Sequence, residues 1–259
     1  ARKLGFIKVL VVRDNSVISQ LKNFVSWKTR TFIQCFSYTY RWADAIICQS
    51  RDMLHDLLLT NNIPESKLHL IHNPVNVEWK PGILPNIKGQ LVSVGRLSAE
   101  KGYSRLIQAM YIIRMHPWFL HIYGTGPEYE NLKELINTLH LEDRVILHGT
   151  SQRISEVLQK SHVFLTASYV EGFPNSVLEA SICGLPVVAM DCPGGTKEIV
   201  NHGVNGYLVK KEEDFGKFVL QAMEKEWLTN MIAVETGEKF DQKRIVDQYE
   251  LLFKQLIHV

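Results

Sequence analysis

From residue 90 onwards the sequence alternates short apolar segments with amphipathic ones in regular steps, and this alternation constrains the fold most. The apolar segments predict strands at 90–95, 119–124, 144–149, 162–167 and 186–190. The segments between them predict helices at 103–115, 128–140, 154–160 and 175–183. Such a succession is typical of an α/β fold with a parallel, doubly wound sheet. In these sheets ligands bind beyond the carboxyl ends of the strands.

The earlier part of the sequence follows a similar but shorter pattern, with strands predicted at 6–12, 45–49 and 67–73. Pro74, Pro81, Gly82 and Pro85 then interrupt any regular element and mark a linker. We therefore expect a first domain over 1–76, a larger one over 77–240 and a terminal helix over 241–259. Since the chain begins ARKLGFIKVL, without Met and almost directly in a strand, we also expect that an upstream portion is missing.

Composition excludes several classes of protein. With 46% hydrophobic residues and a net charge of +2, the 259-residue chain is typical of a globular protein, and we expect no nucleic-acid partner. Residues 1–74 carry ten Lys and Arg against five Asp and Glu (+5), and the rest carry 19 against 22 (−3). The first part is thus the one expected to face an anionic partner. No apolar run reaches the roughly 18 residues of a membrane-spanning helix.

Cysteine and histidine spacing gives no sign of a metal centre. The four cysteines lie far apart, which predicts buried, reduced thiols of a cytosolic protein. The sequence has no Asp-x-Asp pair and no ligand spacing among its ten His, so we expect neither a divalent metal nor another cofactor.

The segment VGRLSAEKG places two cations at a strand-to-helix junction. Arg96 and Lys101 lie between Gly95 and Gly102. An Arg fork and a Lys point charge at one junction can bind the same phosphate-bearing ligand. Taken alone, the pair is equally well explained as ordinary surface basic residues.

The segment EGFPNSVLE places two carboxylates around a helix start. Gly172 permits close backbone approach, and Pro174 presets the first helical turn. The free N–H groups and dipole of that helix favour a phosphate or sugar oxygen. Glu179, about one turn into the helix, can accept hydrogen bonds from two ribose hydroxyls. The alternative is that Glu171 and Glu179 are merely solvated acids.

Two glycine pairs resemble ligand loops less clearly. Gly124 and Gly126 begin a GxGxxG pattern, but Tyr129 occupies the third glycine position, so we reject a nicotinamide-binding site. Gly194 and Gly195 form either a functional loop beside the ligand, as an anion-binding nest or by close backbone approach, or a structural turn, and the sequence leaves both open.

Arg96 with Lys101, then EGFPNSVLE, then GLPVVAMDCPGGTKEIV, in this order, resemble the retaining glycosyltransferases of family 4. The resemblance is strong over residues 89–210 and looser over 1–80, where ADAIICQS and KLHLIHNPVN match. It implies the GT-B architecture, in which two Rossmann-like domains face each other across a cleft. The chain would hold the donor domain over 77–240 and a remnant of the acceptor domain over 1–76. The terminal helix would cross back to the first domain.

The resemblance also implies a reaction: retaining transfer of a sugar from a nucleotide diphosphate without a bound metal. Arg96, Lys101 and Glu171 would be the catalytic residues, with the two cations on the diphosphate and Glu171 near the sugar. Glu179 would hold the ribose. The remaining donor contacts would be made by Gly95, Thr150, Ser151, Gly172, Phe173, Pro174, Asn175 and Ser176, with Thr150 and Ser151 near the base. The sequence PNSVLE favours a UDP-sugar.

One departure from the family affects the first domain. Where many members have a His after an early strand, this chain reads VVRDNS. Arg13, Asp14 and Asn15 stand there and are candidates for acceptor or donor contacts.

Residues 20–42 combine Lys22, Lys28, Arg30 and Arg41 with seven aromatic residues and no acid. Such a segment either lies on an anionic membrane surface or packs as a helix on the first sheet. Because members of the family often use lipid-linked acceptors, we expect a cytoplasmic protein at the inner face of the cytoplasmic membrane. Its product would be a surface polysaccharide or lipid-linked glycan.

Two other functions stay open. The chain could be a non-catalytic nucleotide-sugar binder that needs a partner or its missing region. It could also be a UDP-sugar epimerase of GT-B fold, although Arg96, Lys101, Glu171 and Glu179 together favour transfer.

Overall fold

Two parallel β-sheets form the framework of the computed structural model, which describes residues 9–74 and 87–257. Within these residues the first sheet has the strand order β1-β2-β3 and the second has β6-β5-β4-β7-β8-β9. All named pairings are parallel, which confirms the predicted fold class. The strands are β1 Val11–Arg13, β2 Ala45–Cys48, β3 Leu68–Leu70, β4 Gln90–Val94, β5 Phe119–Tyr123, β6 Val145–Gly149, β7 Val163–Thr166, β8 Val187–Met190 and β9 Gly206–Val209.

Within the described residues, helices connect most of these strands, and three further helices follow the last strand. They are α1 Ile18–Leu21, α2 Trp27–Tyr38, α3 Arg51–Asn61, α4 Tyr103–Ile112, α5 Tyr129–Thr138, α6 Ile154–Lys160, α7 Asn175–Ile182, α8 Thr196–Ile199, α9 Phe215–Glu224, α10 Thr229–Lys239 and α11 Gln242–Ile257. Ser50 caps α3, because its hydroxyl accepts the N–H of Met53 at 3.4 Å. None of the helices in the described ranges combines the length and apolar character needed to traverse a lipid bilayer.

The strand order of the second sheet creates a crevice between β4 and β7. The chain runs from β4 outwards to β6 and then returns to β7 on the other side of β4. The loops that follow β4 and β7 therefore leave the sheet towards opposite faces, and a ligand fits between them. The loop after β4 carries Arg96 and Lys101, and the loop after β7 carries Glu171.

The two sheets share one hydrophobic core cluster. Successive side chains of β2 point to opposite sides, so Ala45 and Ile47 lie in this shared cluster, whereas Ile46 and Cys48 lie with α3 in another. The shared cluster also contains Phe173 of the loop before α7, and Ile245 and Leu252 of α11. Helix α11 thus packs with residues of both sheets.

Some local predictions need correction or fall outside the described residues. Strand β1 begins at Val11 and ends at Arg13, not at residue 12, and residues 6–8 of the predicted strand are not described. The linker residues Pro81, Gly82 and Pro85 also lie outside the described ranges. Cys48, Cys183 and Cys192 are buried free thiols as predicted, but Cys35 is exposed. It lies on the exposed side of α2.

Candidate functional site

Gly102 allows the loop after β4 to meet the loop after β7. Gly102 has a φ of +65°, and a Cβ added to it would lie only 2.0 Å from the Ala167 carbonyl oxygen. Any other residue at this position would therefore force the backbone to move. A short 3₁₀ turn over Ala99–Lys101 precedes it. Since Gly102 permits this contact, the Lys101 side chain reaches the acid that follows β7.

Lys101 and Glu171 form a close ion pair. The Lys101 ammonium donates to both carboxylate oxygens of Glu171, at 2.8 and 2.7 Å. The Ser168 hydroxyl donates to Glu171 Oε1 at 2.6 Å. The Glu171 side chain is only 8% exposed and that of Lys101 is 28% exposed. An ammonium has three donors, so one remains for a ligand in the cleft.

Arg105 holds the loop that carries Ser168. Its guanidinium donates to the carbonyl oxygens of Ala167 and Ser168, each at 2.5 Å, and stacks on the Tyr169 ring at 3.7 Å. A planar fork with several donors suits two neighbouring carbonyls better than a Lys would. The position of the Ser168 hydroxyl, and with it that of Glu171, is thereby fixed from behind the cleft.

The glycines that follow β8 support the Glu171 loop. The amide of Gly194 donates to Asp52 Oδ2 at 2.8 Å, and that of Gly195 donates to the Gly172 carbonyl at 2.8 Å. A Cβ on Gly194 would lie 2.1 Å from the Glu171 carbonyl oxygen. Because both amides already have protein acceptors, these glycines form a loop of close approach and not an anion-binding nest.

Helix α7 begins at the cleft. Pro174 precedes it, and the first N–H groups of a helix have no partner within the helix. No hydrogen bond from the N–H groups of Asn175 and Ser176 is found within the described residues. Glu179 lies about one turn further on and is partly buried, and the loss of hydration raises the pKa of its carboxyl. The start of α7 thus provides hydrogen-bond donors, its free N–H groups, and one turn further on a hydrogen-bond acceptor, the Glu179 carboxyl group.

A cleft of about 700 Å³ brings nearly all the predicted residues together. Its walls include the predicted donor-site residues Gly95, Arg96, Lys101, Glu171, Gly172, Phe173, Pro174, Asn175, Ser176 and Glu179, together with Arg13 and Asn15 of the first sheet's side. Thr150 and Ser151 line a neighbouring pocket of about 520 Å³ that shares Gly95 and Arg96 with the cleft. The two spaces form one elongated site across the carboxyl edge of the second sheet.

Asp14 is a predicted site residue that lines neither the cleft nor the neighbouring pocket. It is 5% exposed, and its Oδ1 accepts the N–H of Asn15 at 2.8 Å. Because neighbouring residues at the end of β1 point to opposite sides, Arg13 faces the cleft and Asp14 the interior. Burial raises the pKa of the Asp14 carboxyl to about 6. Its position argues against direct contact with a ligand.

Gln49 and Asn73 line the cleft as well, although they are not among the site residues predicted from the sequence. Asn73 accepts a hydrogen bond from Arg13 at 2.6 Å and donates one to Asn175 at 2.7 Å, so it joins the first sheet's side to α7. Gln49 comes directly after β2, and Asn73 follows β3 by three residues. The rule that ligands bind beyond the carboxyl ends of strands could have found both.

The cleft has a surplus of positive charge. Lys101 is balanced by Glu171, whereas Arg96 and Arg13 add two cations against one further acid, Glu179. In the part of the chain that the structure describes, no three His, Cys, Asp or Glu side chains converge as a metal site would require. The site thus combines guanidinium groups, one ammonium and a helix N-terminus, the donor set that suits a phosphate-bearing ligand.

Comparisons with known proteins identify the family of the chain. The family model for glycosyl transferases group 1 matches residues 80–240, and that for glycosyltransferase family 4 matches residues 11–79. The poly(glycerol-phosphate) alpha-glucosyltransferase of Bacillus subtilis is 26% identical over 87% of this chain and 35% of its own length. The Campylobacter jejuni N-acetylgalactosamine-N,N'-diacetylbacillosaminyl-diphospho-undecaprenol 4-alpha-N-acetylgalactosaminyltransferase is 30% identical over 84% of this chain and 60% of its own length. The chain spans about half or less of the length of the first curated relatives that it matches.

A solved structure shows the same fold. Anabaena Alr3699/HepE, crystallised with UDP and glucose, superimposes with a TM-score of 0.82 and 22% identity, over 95% of this chain and 71% of that one. The group 1 model covers more than half of the 259 residues, including both loops that carry Lys101 and Glu171. The chain belongs to the glycosyl transferases group 1 family.

Proposed function

We propose that this chain takes part in retaining transfer of a sugar from a UDP-sugar to a glycan or lipid-linked acceptor in surface polysaccharide synthesis. The observation that supports it most is the Lys101–Glu171 pair, which shares one cleft with Arg96 and the start of α7. The names of the Bacillus and Campylobacter relatives, a polymer glucosyltransferase and a diphospho-undecaprenol sugar transferase, support the acceptor classes. The setting we propose is the cytoplasm, at the inner face of the cytoplasmic membrane.

The donor would lie along the carboxyl edge of the second sheet. Arg96, the third donor of Lys101 and the N–H groups at the start of α7 would bind the diphosphate. Glu179 would accept hydrogen bonds from the ribose hydroxyls, and the base would extend towards Thr150 and Ser151 in the neighbouring pocket. The transferred sugar would then lie beside Glu171, whose remaining lone pairs can accept hydrogen bonds from its hydroxyls.

In the proposed reaction the bond between the anomeric carbon and the β-phosphate oxygen breaks. The acceptor oxygen forms its new bond to that carbon on the same face, so the configuration is retained. The departing phosphate takes the proton of the acceptor hydroxyl, and a nucleoside diphosphate leaves. Preorganised cations and helix N–H groups stabilise the negative charge that grows on the leaving group. We propose that Arg96 and Lys101 supply this charge without a divalent metal.

Calorimetry with UDP and with GDP tests the site. We expect UDP to bind more tightly, and binding in EDTA to be unchanged. Lys101→Ala removes a charge-assisted hydrogen bond, and Glu179→Ala removes the ribose acceptor. Each should weaken UDP binding about tenfold or more, since such bonds contribute roughly 1.5–3 kcal/mol. Lys133→Ala, an exposed position on α5 away from the cleft, is the matched control. Unchanged affinity in both site variants would refute the assignment.

A donor panel separates the proposed enzyme from the alternatives. Transfer or slow hydrolysis of a UDP-sugar releases UDP, which a coupled assay detects. Binding without release of UDP would identify a non-catalytic binder. Conversion of the sugar within an intact UDP-sugar, detected by chromatography, would identify an epimerase.

A further inference from the structure

Helix α2 has its aromatic side chains on the outside. Trp27, Phe32 and Tyr38 are 73%, 67% and 62% exposed. At 3.6 residues per turn, all three fall on the half of the helix opposite Ile33 and Ser37, which are its covered positions. An ordinary surface helix has polar residues on that outer half. The outer half of α2 is therefore suited to an apolar or interfacial surrounding.

Positive charge surrounds these aromatic rings. Lys28, Arg30 and Arg41 are exposed, and residues 20–42 contain no Asp or Glu. The Lys28 ammonium lies 5.7 Å from the Trp27 ring centre, and the Arg41 guanidinium lies 4.3 Å from that of Tyr38. Basic groups beside Trp and Tyr rings are suited to the boundary between lipid headgroups and acyl chains, since the rings enter the boundary while the charges stay at the phosphates.

We propose that this surface docks on an anionic lipid bilayer. The α2 surface is defined here by its exposed aromatic and basic residues, Trp27, Lys28, Arg30, Phe32, Phe36, Tyr38 and Arg41. Charge complementarity favours a membrane, because a segment with several cations and no acid is attracted to negatively charged lipid headgroups. A neutral protein partner would offer these cations no fixed negative charge.

The segment that leads into α2 connects this surface with the cleft. Leu21, Phe24 and Val25 line a pocket of about 480 Å³ together with Lys101 and Glu171. Phe24 stacks on Tyr169, with the ring centres 5.1 Å apart. An acceptor held by a lipid in the bilayer would thus have a partly apolar path to the carboxylate. This last step rests on the proposed function, whereas docking of the α2 surface does not.

Flotation of the chain with lipid vesicles tests the docking. We expect co-flotation with vesicles of phosphatidylcholine and phosphatidylglycerol at low salt, and at least about tenfold less with phosphatidylcholine alone. Trp27→Ser with Phe32→Ser, and separately Lys28→Glu with Arg30→Glu, should each lower the bound fraction at least about tenfold. The matched controls are Ile112→Ser with Met115→Ser, exposed apolar residues elsewhere, and Lys133→Glu with Lys217→Glu. Neither control should change it.

Circular dichroism and UDP calorimetry on each variant report folding and the donor site independently of lipid. If the unmodified chain stays unbound to anionic vesicles at low salt, the docking proposal is overturned. It is equally overturned if the control variants lose binding as strongly as the α2 variants, or if the α2 aromatics instead mediate self-association seen by ultracentrifugation. Flotation without UDP binding would refute the proposed function and leave the docking intact.

Discussion

Replacing Lys101 by Met should affect both stability and nucleotide affinity. The substitution keeps much of the side-chain length but leaves the Glu171 carboxylate, which is 8% exposed, without its cation. Removing one partner of a fully buried pair costs about 3–5 kcal/mol. Here Lys101 is 28% exposed and Ser168 still donates to Glu171, so we expect about 2 kcal/mol, or about 4–8 °C in Tm.

A double-mutant cycle isolates the pair. Glu171→Gln alone leaves a Lys101 ammonium that water can reach, so it should cost about 1 kcal/mol. The double variant Lys101→Met with Glu171→Gln should be more stable than the sum of the single effects predicts, by about 1–2 kcal/mol. Urea unfolding gives the free energies, and UDP calorimetry on the same samples should show that Lys101→Met weakens binding about tenfold or more.

Lys197→Met is the matched control. Lys197 contacts Asp52 at 2.8 Å, but the two side chains are 44% and 25% exposed and line no part of the cleft. Its loss should cost about 1 kcal/mol or less and leave UDP affinity unchanged. Additive effects of the Lys101 and Glu171 substitutions, or a Lys101→Met variant as stable as Lys197→Met with full UDP affinity, would refute the reasoning.

Three further outcomes are expected. Gly172→Ala should lower the free energy of unfolding by at least about 2 kcal/mol, because its Cβ would lie 2.0 Å from the Asn15 carbonyl oxygen. Gly237→Ala on α10, where an added Cβ meets open space, should raise it by about 0.5–1 kcal/mol. Thermal melting curves of the two variants measure both effects. The pKa of Asp14 is raised from 3.8 to about 6 in the folded state. Between these pH values the folded state binds more protons than the unfolded state, so the free energy of unfolding falls as the pH rises. Asp14→Asn should then be more stable by on the order of 2 kcal/mol at pH 7.5 and lose this advantage near pH 4, as urea unfolding would show. Ser168→Ala removes the 2.6 Å hydrogen bond that the Ser168 hydroxyl donates to Glu171. Because Ser168 does not line the cleft, UDP affinity should change little, whereas the rate at which UDP is released from a UDP-sugar should fall about tenfold.

The second sheet and the wall that it contributes to the cleft could be predicted from the sequence. Apolar runs of strand length, each followed by a helical segment, fix a parallel sheet, and its topology brings the carboxyl ends of β4 and β7 together. The place of Arg96, Lys101 and Glu171 along the chain therefore predicts that they lie near one edge of the sheet, whereas their selection as site residues needed the family resemblance.

What the sequence could not predict depends on how the two sheets face each other. Asn73 contacts Arg13 and Asn175, and the latter lies 102 residues away. The Gly194 amide is taken by Asp52, 142 residues away, which decides between a nest and a supporting loop. Such contacts follow from tertiary packing, and no local pattern encodes them. The inward direction of Asp14 similarly depends on where β1 ends, which the apolar run placed one residue too early.

The core cluster that both sheets share sets a condition on exchanging parts among relatives. Phe173, two residues after Glu171, packs in the same cluster as Ala45, Ile47 and Ile71 of the first sheet's side. A chimaera that takes its first sheet from a relative would also replace part of the support beneath this loop. The geometry of the Glu171 loop would survive only where the incoming residues match these three in volume. The two sheets are thus coupled through packing, even though they are separate in sequence.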